Sequence, residues 1–516
     1  MTAGPSETSP ADASSTPVAR RAFLRALGLG GVGVAAAGSG LLAACGDGGD
    51  RKAASPTTTT LRRTPAPSVA PYNPKVPYWE QGNFAPVTKE VTVTDLPITG
   101  AIPSELSGLF VRNGSNPPTG KSLHWFLGDG MVHGVRLEQG KATWYRNRYV
   151  STPLHHEGKD IMSAGGPPGE ADNQSNVALV HHGGKLLTTG EVGWPYEIRA
   201  DDLSTVGPWD FHGRLGPTMT AHPKIDPATG KMHFFGYEFL RPAVTYYIAE
   251  PDGTISHKSA VPTDTVTMIH DFAITDQDAV FWIGPVVFGA DAKNPNPSIP
   301  FHWDPKGPCK VGVMPLHGPG SAIRWVDVPL GYAFHGLNAH RDGDDVVVNL
   351  HRQPSAFGPQ GDLLPSHLYE WRINTAGRDL TMTQRRVSDI SMDLPTHDRR
   401  HTGRSTRHGW FATVSPVTAP YGFELAGICH LDLQTGAEDR WEPGLMERAG
   451  EAFFVPAGKA EGEGWLLTFL YDRTTDRSSL GIFDAQHVGK GPVARVHLPV
   501  RVPFGFHGLW VDDTAA

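Results

Sequence analysis

Cysteine is nearly missing from this chain: Cys45, Cys309 and Cys429 are the only three in 516 residues. None stands in a CxxC pair, so neither a cysteine metal site nor a disulfide framework organises the chain. Cys309 and Cys429 are left as two free core thiols or as one disulfide. A basic stripe is also lacking; the formal net charge is −8, and with no arginine-rich arm to neutralise phosphates the chain is not a nucleic-acid binder. Long amphipathic helical periods are scarce, which argues against helical bundles and α/β folds. GxSxG and HExxH do not occur, and the isolated Gly-rich runs read as turns, not phosphate loops. A serine hydrolase, a zinc peptidase and a nucleotide-binding enzyme are thereby excluded.

What is abundant is punctuation. With 60 Gly and 45 Pro, 39% hydrophobic and 19% charged residues, the composition is that of many short strands joined by turns. From about residue 88 onward, apolar and polar residues alternate in pairs of runs separated by Gly with Asp, Asn, Gln or Thr, the hairpin pattern. Examples span 134–150, 224–239, 246–258, 368–387 and 427–444. Four-stranded units of roughly 40–50 residues fit a β-propeller, and about 420 residues accommodate some seven blades with insertions. The expected fold is therefore all-β, a seven-bladed β-propeller; a β-sandwich array shares the hairpins. Stretches 156–173, 286–306 and 353–366 are too long for simple hairpins and read as a loop and helix cap over one face. Phe288 and Phe301 within them would line a route for a lipophilic substrate.

Two segments precede this body. Residues 1–45 place Arg20 and Arg21 before a Gly/Ala-rich apolar stretch ending in LLAAC at Cys45. This reads as a twin-arginine export signal with a lipoprotein cleavage box, Cys45 being the lipidated residue. The 19 positions 26–44 are too bland for a membrane span, so the expected location is exported and membrane-anchored, or cytoplasmic if the signal is not used. Residues 46–80 are rich in Gly, Ser, Thr and Pro, cannot bury enough apolar surface to offset their ordering, and read as a disordered tether. The body is 81–516.

Two short stretches nearly repeat: YAFHGLNAH around His335 and FGFHGLWV around His507. Among 24 histidines, these two, with His222 in TAHPKID and His270 in TMIHDFAIT, follow short or apolar runs that would close inner strands, and Pro, Asp or Gly comes next. Pairs such as His155/His156 and His181/His182, with His397 and His401, sit among Gly, Asp and Arg and read as solvated. A lone histidine in an apolar strand is more often a hydrogen-bonded core residue than a ligand. Four that would converge on a propeller axis from different blades are a metal site. Imidazole alone does not select among Zn, Cu, Fe and Ni, but a four-histidine octahedral centre keeps two adjacent positions open, which a closed zinc site does not. Metal-bound histidines donate their other N–H to carboxylates. Glu191 in LLTTGEVGWPYEI and Glu451 in GEAFFVP have the apolar flanks for this; Asp393 in SMDLP has no such mark.

The runs GLFVRNGSNPP, HWFLGDGMVHGVRL, YRNRYVST, TAHPKIDPATG, MIHDFAIT, FHGLNAH, EAFFVP, GWLLTFLYD and PFGFHGLW resemble, in order, the signatures of the carotenoid cleavage oxygenase family, which includes the retinal pigment epithelial proteins. The resemblance covers about 88–512. It implies a seven-bladed propeller under a helix and loop dome, one Fe(II) per chain on His222, His270, His335 and His507, and carboxylates behind three of them. Glu191, Asp393 and Glu451 fall on those positions. Asp393 is one methylene short, so it meets its histidine through water or holds the ring less firmly. The implied activity is O2-dependent cleavage of a conjugated C=C bond of a carotenoid or apocarotenoid into two carbonyl products, with stilbene-type phenolics as the alternative substrates. Phe126 would line the channel, although core packing is the commoner role of such an aromatic. A non-catalytic ligand-binding propeller, its histidines merely packed, is the competing reading. Implied partners are a lipophilic polyene or stilbene, O2 and a membrane surface.

Overall fold

The computed structural model describes residues 73–159, 161, 173–238, 241–288, 299, 301–358, 365–414 and 424–513. The export segment, Cys45 and most of the tether lie outside them. No helix among the described residues is long and apolar enough to cross a membrane. Seven antiparallel sheets of four to six strands, with one separate two-stranded hairpin, account for the strands, and the seven sheets are the blades of a propeller. All five sequence-predicted hairpins are paired strands, among them Met131–Glu138 with Lys141–Tyr149. Their turn shows why: Gln139 and Gly140 both take positive φ, 48° and 75°, the mirror-image turn whose twist matches the flanking strands.

Each blade presents one strand to the axis. In chain order these inner strands are Ala178–His182, Lys224–Ile225, Phe272–Ile274, Gly336–Asp342, Met392–His397 and Phe453–Pro456. The remaining blade, blade 1, takes its inner strand from the far end of the chain: Gly508–Asp512 pairs with Gly108–Arg112. The blades that follow are numbered 2 to 7 in the order given. A second closure lies on blade 7, whose outer strand Ala494–His497 pairs with Ile98–Gly100. The ring is thus fastened twice between sequence-distant segments.

The core lies between neighbouring blades. Phe235, Phe272 and Phe281, all essentially inaccessible, fill the space between blades 3 and 4, each contributing about 1.5–3 kcal/mol by leaving water. Cys309 and Cys429 are both free. The body is already ordered a few residues before position 81. Tyr78 packs on Phe84 and Trp125, and the Trp79 indole N–H donates to Ser122 O at 3.1 Å; these two half-buried rings offset part of the cost of ordering that end of the tether.

One loop crosses the axis. Residues 398–407, which follow the inner strand of blade 6, reach Asp226 on blade 3 through Arg404 (3.0 Å) and Asn338 on blade 5 through Gly403 N (3.0 Å). Arg400 donates to Gly458 O, in the turn after the inner strand of blade 7, at 2.7 Å. These partners stand on opposite sides of the ring, so the loop covers the mouth at which the inner strands end.

Candidate metal centre

The four histidines stand at the other mouth. His222 and His270 come two residues before the inner strands of blades 3 and 4, and His335 and His507 one residue before those of blades 5 and 1. The sequence reading placed them where a strand closes; in the structure the strand opens there instead, because the inner strands run away from the centre. Blades 6 and 7 place carboxylates at the same end of their inner strands, Asp393 as the second strand residue and Glu451 two residues before the strand, while blade 2 presents Val177, whose carbonyl accepts from His507 N at 3.1 Å. The axis of the propeller gathers these groups, which no local motif could do.

One ligating atom from each of His222, His270, His335 and His507 lies within 4.8 Å of all the others. The Nε2 atoms of His222 and His270 are 3.0 Å apart, and those of His270 and His335 3.3 Å. Five of the six ring pairs are close, with centroids 4.5–5.3 Å apart. Ligands at ~2.1 Å and right angles sit about 3.0 Å apart, so the observed separations fit a single metal ion held by imidazole.

Three rings are fixed from behind. His270 Nδ1 donates to Glu191 Oε2, His335 Nδ1 to Asp393 Oδ1 and His507 Nδ1 to Glu451 Oε1, each at 2.8 Å. With Nδ1 carrying the proton, the Nε2 lone pair is turned toward the centre. The three imidazoles are only 10–12% exposed. Asp393 therefore meets its histidine directly, without a bridging water, and the missing methylene is made up by the backbone. The strand bulges between Asp393 and Thr396, and Leu394 is driven to φ 52°, which carries the short carboxylate inward.

Among the described residues His222 has no carboxylate partner. Burial, then the neighbouring His507, His270 and His335, hold it well below the usual imidazole range. Burial also lowers His335, with Asp393 offsetting only part of the effect. For His270 burial is outweighed by Glu191, through its charge and hydrogen bond, and by Asp271 and Asp393, so it is raised. Asp271 was not singled out in the sequence, although it directly follows His270. Its carboxylate, 1% exposed, takes Lys224 Nζ at 2.7 Å, Phe272 N at 2.8 Å and Gly336 N at 2.9 Å. It clamps blades 3, 4 and 5 together immediately beyond three of the histidines.

A cluster of aromatic rings packs beside the histidines. Phe334, next to His335, is 5.4 Å from the His270 ring and 5.9 Å from Phe357. Phe357 meets Phe126 and Phe301 at 6.0 and 5.6 Å, and Phe301 meets Phe288 at 4.4 Å. The three sequence-nominated phenylalanines thus stand in one continuous apolar wall that begins at the histidines. Phe288 and Phe301 pair in the cap hairpin Val286–Phe288 with Phe301–Trp303; the helix Pro153–Glu157 and the turn Trp125–Leu127 belong to other parts of the cap. Of the histidines read as solvated, His156 is exposed, whereas three others are held by the fold. His182 is buried on Gly230 O, His155 bonds Asp129 at 2.8 Å, and His397 bonds Thr402 at 3.1 Å, pushed down to about 3 by burial.

A seven-bladed propeller with an imidazole cluster at one mouth, three carboxylates behind it and an aromatic roof defines the carotenoid-oxygenase class of enzymes. Residues 84–512 match the retinal pigment epithelial membrane protein family, and the chain belongs to that family. It is 34% identical over 509 residues to a carotenoid cleavage oxygenase of Mycobacterium tuberculosis, covering 85% of this chain and 98% of that protein. It is 32% identical over 497 residues to carotenoid 9,10(9',10')-cleavage dioxygenase 1 of Pisum sativum, covering 86% and 91%. The crystal structure of Pseudomonas brassicacearum lignostilbene dioxygenase superposes with a TM-score of 0.77 at 28% identity, covering 86% of this chain and all of that one.

Proposed function

We propose that the chain holds one ferrous ion on His222, His270, His335 and His507 and uses O2 to cleave a conjugated C=C bond of a carotenoid or apocarotenoid into two carbonyl products. The observation that carries this reading is the convergence of four imidazoles, with ligating atoms within 4.8 Å of one another, beside the aromatic wall that begins at Phe334. Ferrous iron supplies the one-electron chemistry that lets O2 react with an alkene. The chain does the rest. Glu191, Asp393 and Glu451 keep the Nδ1 protons of three ligands and hold their rings in place. Phe126, Phe288, Phe301, Phe334 and Phe357 exclude water and align a rigid polyene, so that one bond lies within reach of the centre. No side chain is needed as nucleophile or general base.

Aerobic turnover of the iron-loaded protein on a panel of carotenoids, apocarotenoids and stilbenes under labelled O2 tests this. Label is expected in both carbonyl products, with about one iron per chain. A loaded protein that converts none of the panel overturns the reading. The likeness to lignostilbene dioxygenase favours a second reading, cleavage of stilbene-type phenolics on the same site, and the panel separates the two by kcat/KM.

We propose as well that residues 1–45 direct twin-arginine export and that Cys45 is lipidated, bringing the body to a membrane surface where lipophilic polyenes partition. A reporter fused to residues 1–60 is expected outside the cytoplasm, and Cys45→Ala is expected to move it from the membrane to the soluble fraction.

A further inference from the structure

The three carboxylates behind the histidines are not held alike. Glu451 is fixed by the ligand strand itself, its second oxygen taking Gly508 N at 2.5 Å. Asp393 sits within a strand and also takes Leu394 N at 2.8 Å and Ser366 Oγ at 2.9 Å. Glu191 stands on a bend after Lys185–Thr189 and is the most exposed of the three, at 17% against 9% for each of the others. Its free oxygen, Oε1, accepts from the Tyr237 hydroxyl at 2.8 Å. Tyr237 is 3% exposed and belongs to Met232–Glu238, the second strand of blade 3. A side chain of blade 3 thus fixes a carboxylate of blade 2 that orients a histidine of blade 4.

We propose that Tyr237 is a positioning residue of the metal centre, acting on His270 through Glu191. The phenol engages Oε1 while Oε2 accepts from His270 Nδ1, which selects one rotation of the carboxylate and, through it, one orientation of the ring. Burial, and after it the charge of Glu191, push the Tyr237 phenol well above its usual range, so it remains a donor throughout the pH range in which the protein is folded. Tyr237 also touches the cap, its ring lying 6.2 Å from Phe288. The inference rests on His270 being a ligand.

The test uses the full chain loaded with cobalt(II) and measures metal loss to excess chelator. Tyr237→Phe is expected to release cobalt roughly 3–10-fold faster, at or below the 10–100-fold range typical of partners that touch a ligand directly. Tyr246→Phe is the control: that phenol is buried on the same blade and bonds His233 Nδ1 at 2.7 Å, while its hydroxyl makes no hydrogen bond to the four histidines or their carboxylates among the described residues, and release is expected within twofold of wild type. In a Glu191→Gln background, Tyr237→Phe is expected to add nothing. In the proton spectrum of the cobalt protein, the His270 Nδ1–H is expected to exchange faster with solvent in Tyr237→Phe, while those of His335 and His507 stay as they are. Wild-type release in Tyr237→Phe, equal acceleration by Tyr246→Phe, or full additivity with Glu191→Gln would overturn the inference alone. A wild-type chain that holds neither cobalt nor iron would overturn the metal reading beneath it.

Discussion

The floor and the roof of the site are built on opposite principles. On the floor, polar groups interlock: three imidazole N–H groups meet three carboxylates at 2.8 Å, and Asp271 clamps three blades. The roof is a wall of rings running from Phe334 to Phe288, in contact through faces and edges at 4.4–6.0 Å. Hydrogen bonds fix direction to within a few degrees and tolerate little change; ring packing fixes volume and tolerates substitution of similar size. Metal retention should therefore depend on the floor and substrate choice on the roof.

The sharpest break in that division is His335→Ala, which takes away a ligand flanked on two sides by other ligands. Metal content is expected to fall to background and turnover by at least about 10³-fold, as read by metal analysis and product formation. Glu451→Gln leaves the ligands in place and removes the charge behind His507; metal affinity is expected to drop by roughly 10–100-fold in chelator competition. Phe288→Ala leaves the floor alone. Iron content should be unchanged while kcat/KM for a lipophilic alkene falls by roughly 10-fold, and equal turnover after deletion of 288–302 would show that the roof does not select substrate. Asp393→Glu restores the longer side chain, and metal is expected to stay bound, within about threefold of the parent affinity.

The smallest effect concerns stability and lies outside the site. Burial pushes His233 down to about 4, so between there and the ordinary value near 6.5 the unfolded chain binds a proton that the folded chain refuses. Stability is full above pH ~6.5 and falls as pH drops toward 4, by up to about 1.4 kcal/mol per pH unit for this group. His397, His351 and His430 are lowered in the same way, so denaturant titrations of the wild type from pH 7 to 4.5 should show a steeper combined slope, and His233→Asn should reduce it by the contribution of one histidine.

The same division governs what could be read from the sequence. The ligands were legible because each carries its mark locally: Gly, Asp or Pro follows the ring at the point where an inner strand begins, and the GLNAH and GLWV runs after His335 and His507 are strands of blades 5 and 1. Hairpins were legible because alternation and turn residues are contiguous. The direction of the strands relative to the centre was not, since a histidine beside an apolar run looks the same at either end of a strand. Tyr237 stayed hidden because its partner is 46 positions away on another blade, and an aromatic within MHFFGYE reads as core. Asp393 was found by resemblance alone; the bulge that lets so short a side chain reach His335 exists only in three dimensions.

Blade 1 closes on Gly508–Asp512, and His507 stands immediately before that strand. During synthesis, then, the first three ligands leave the ribosome long before the fourth, and the ring they belong to is still open. Until the final strand docks beside Gly108–Arg112, any captured ion is held by an incomplete set of donors that nothing locks into register. Assembly of the centre and completion of the fold are a single late event, so a nascent chain interrupted before residue 507 lacks both.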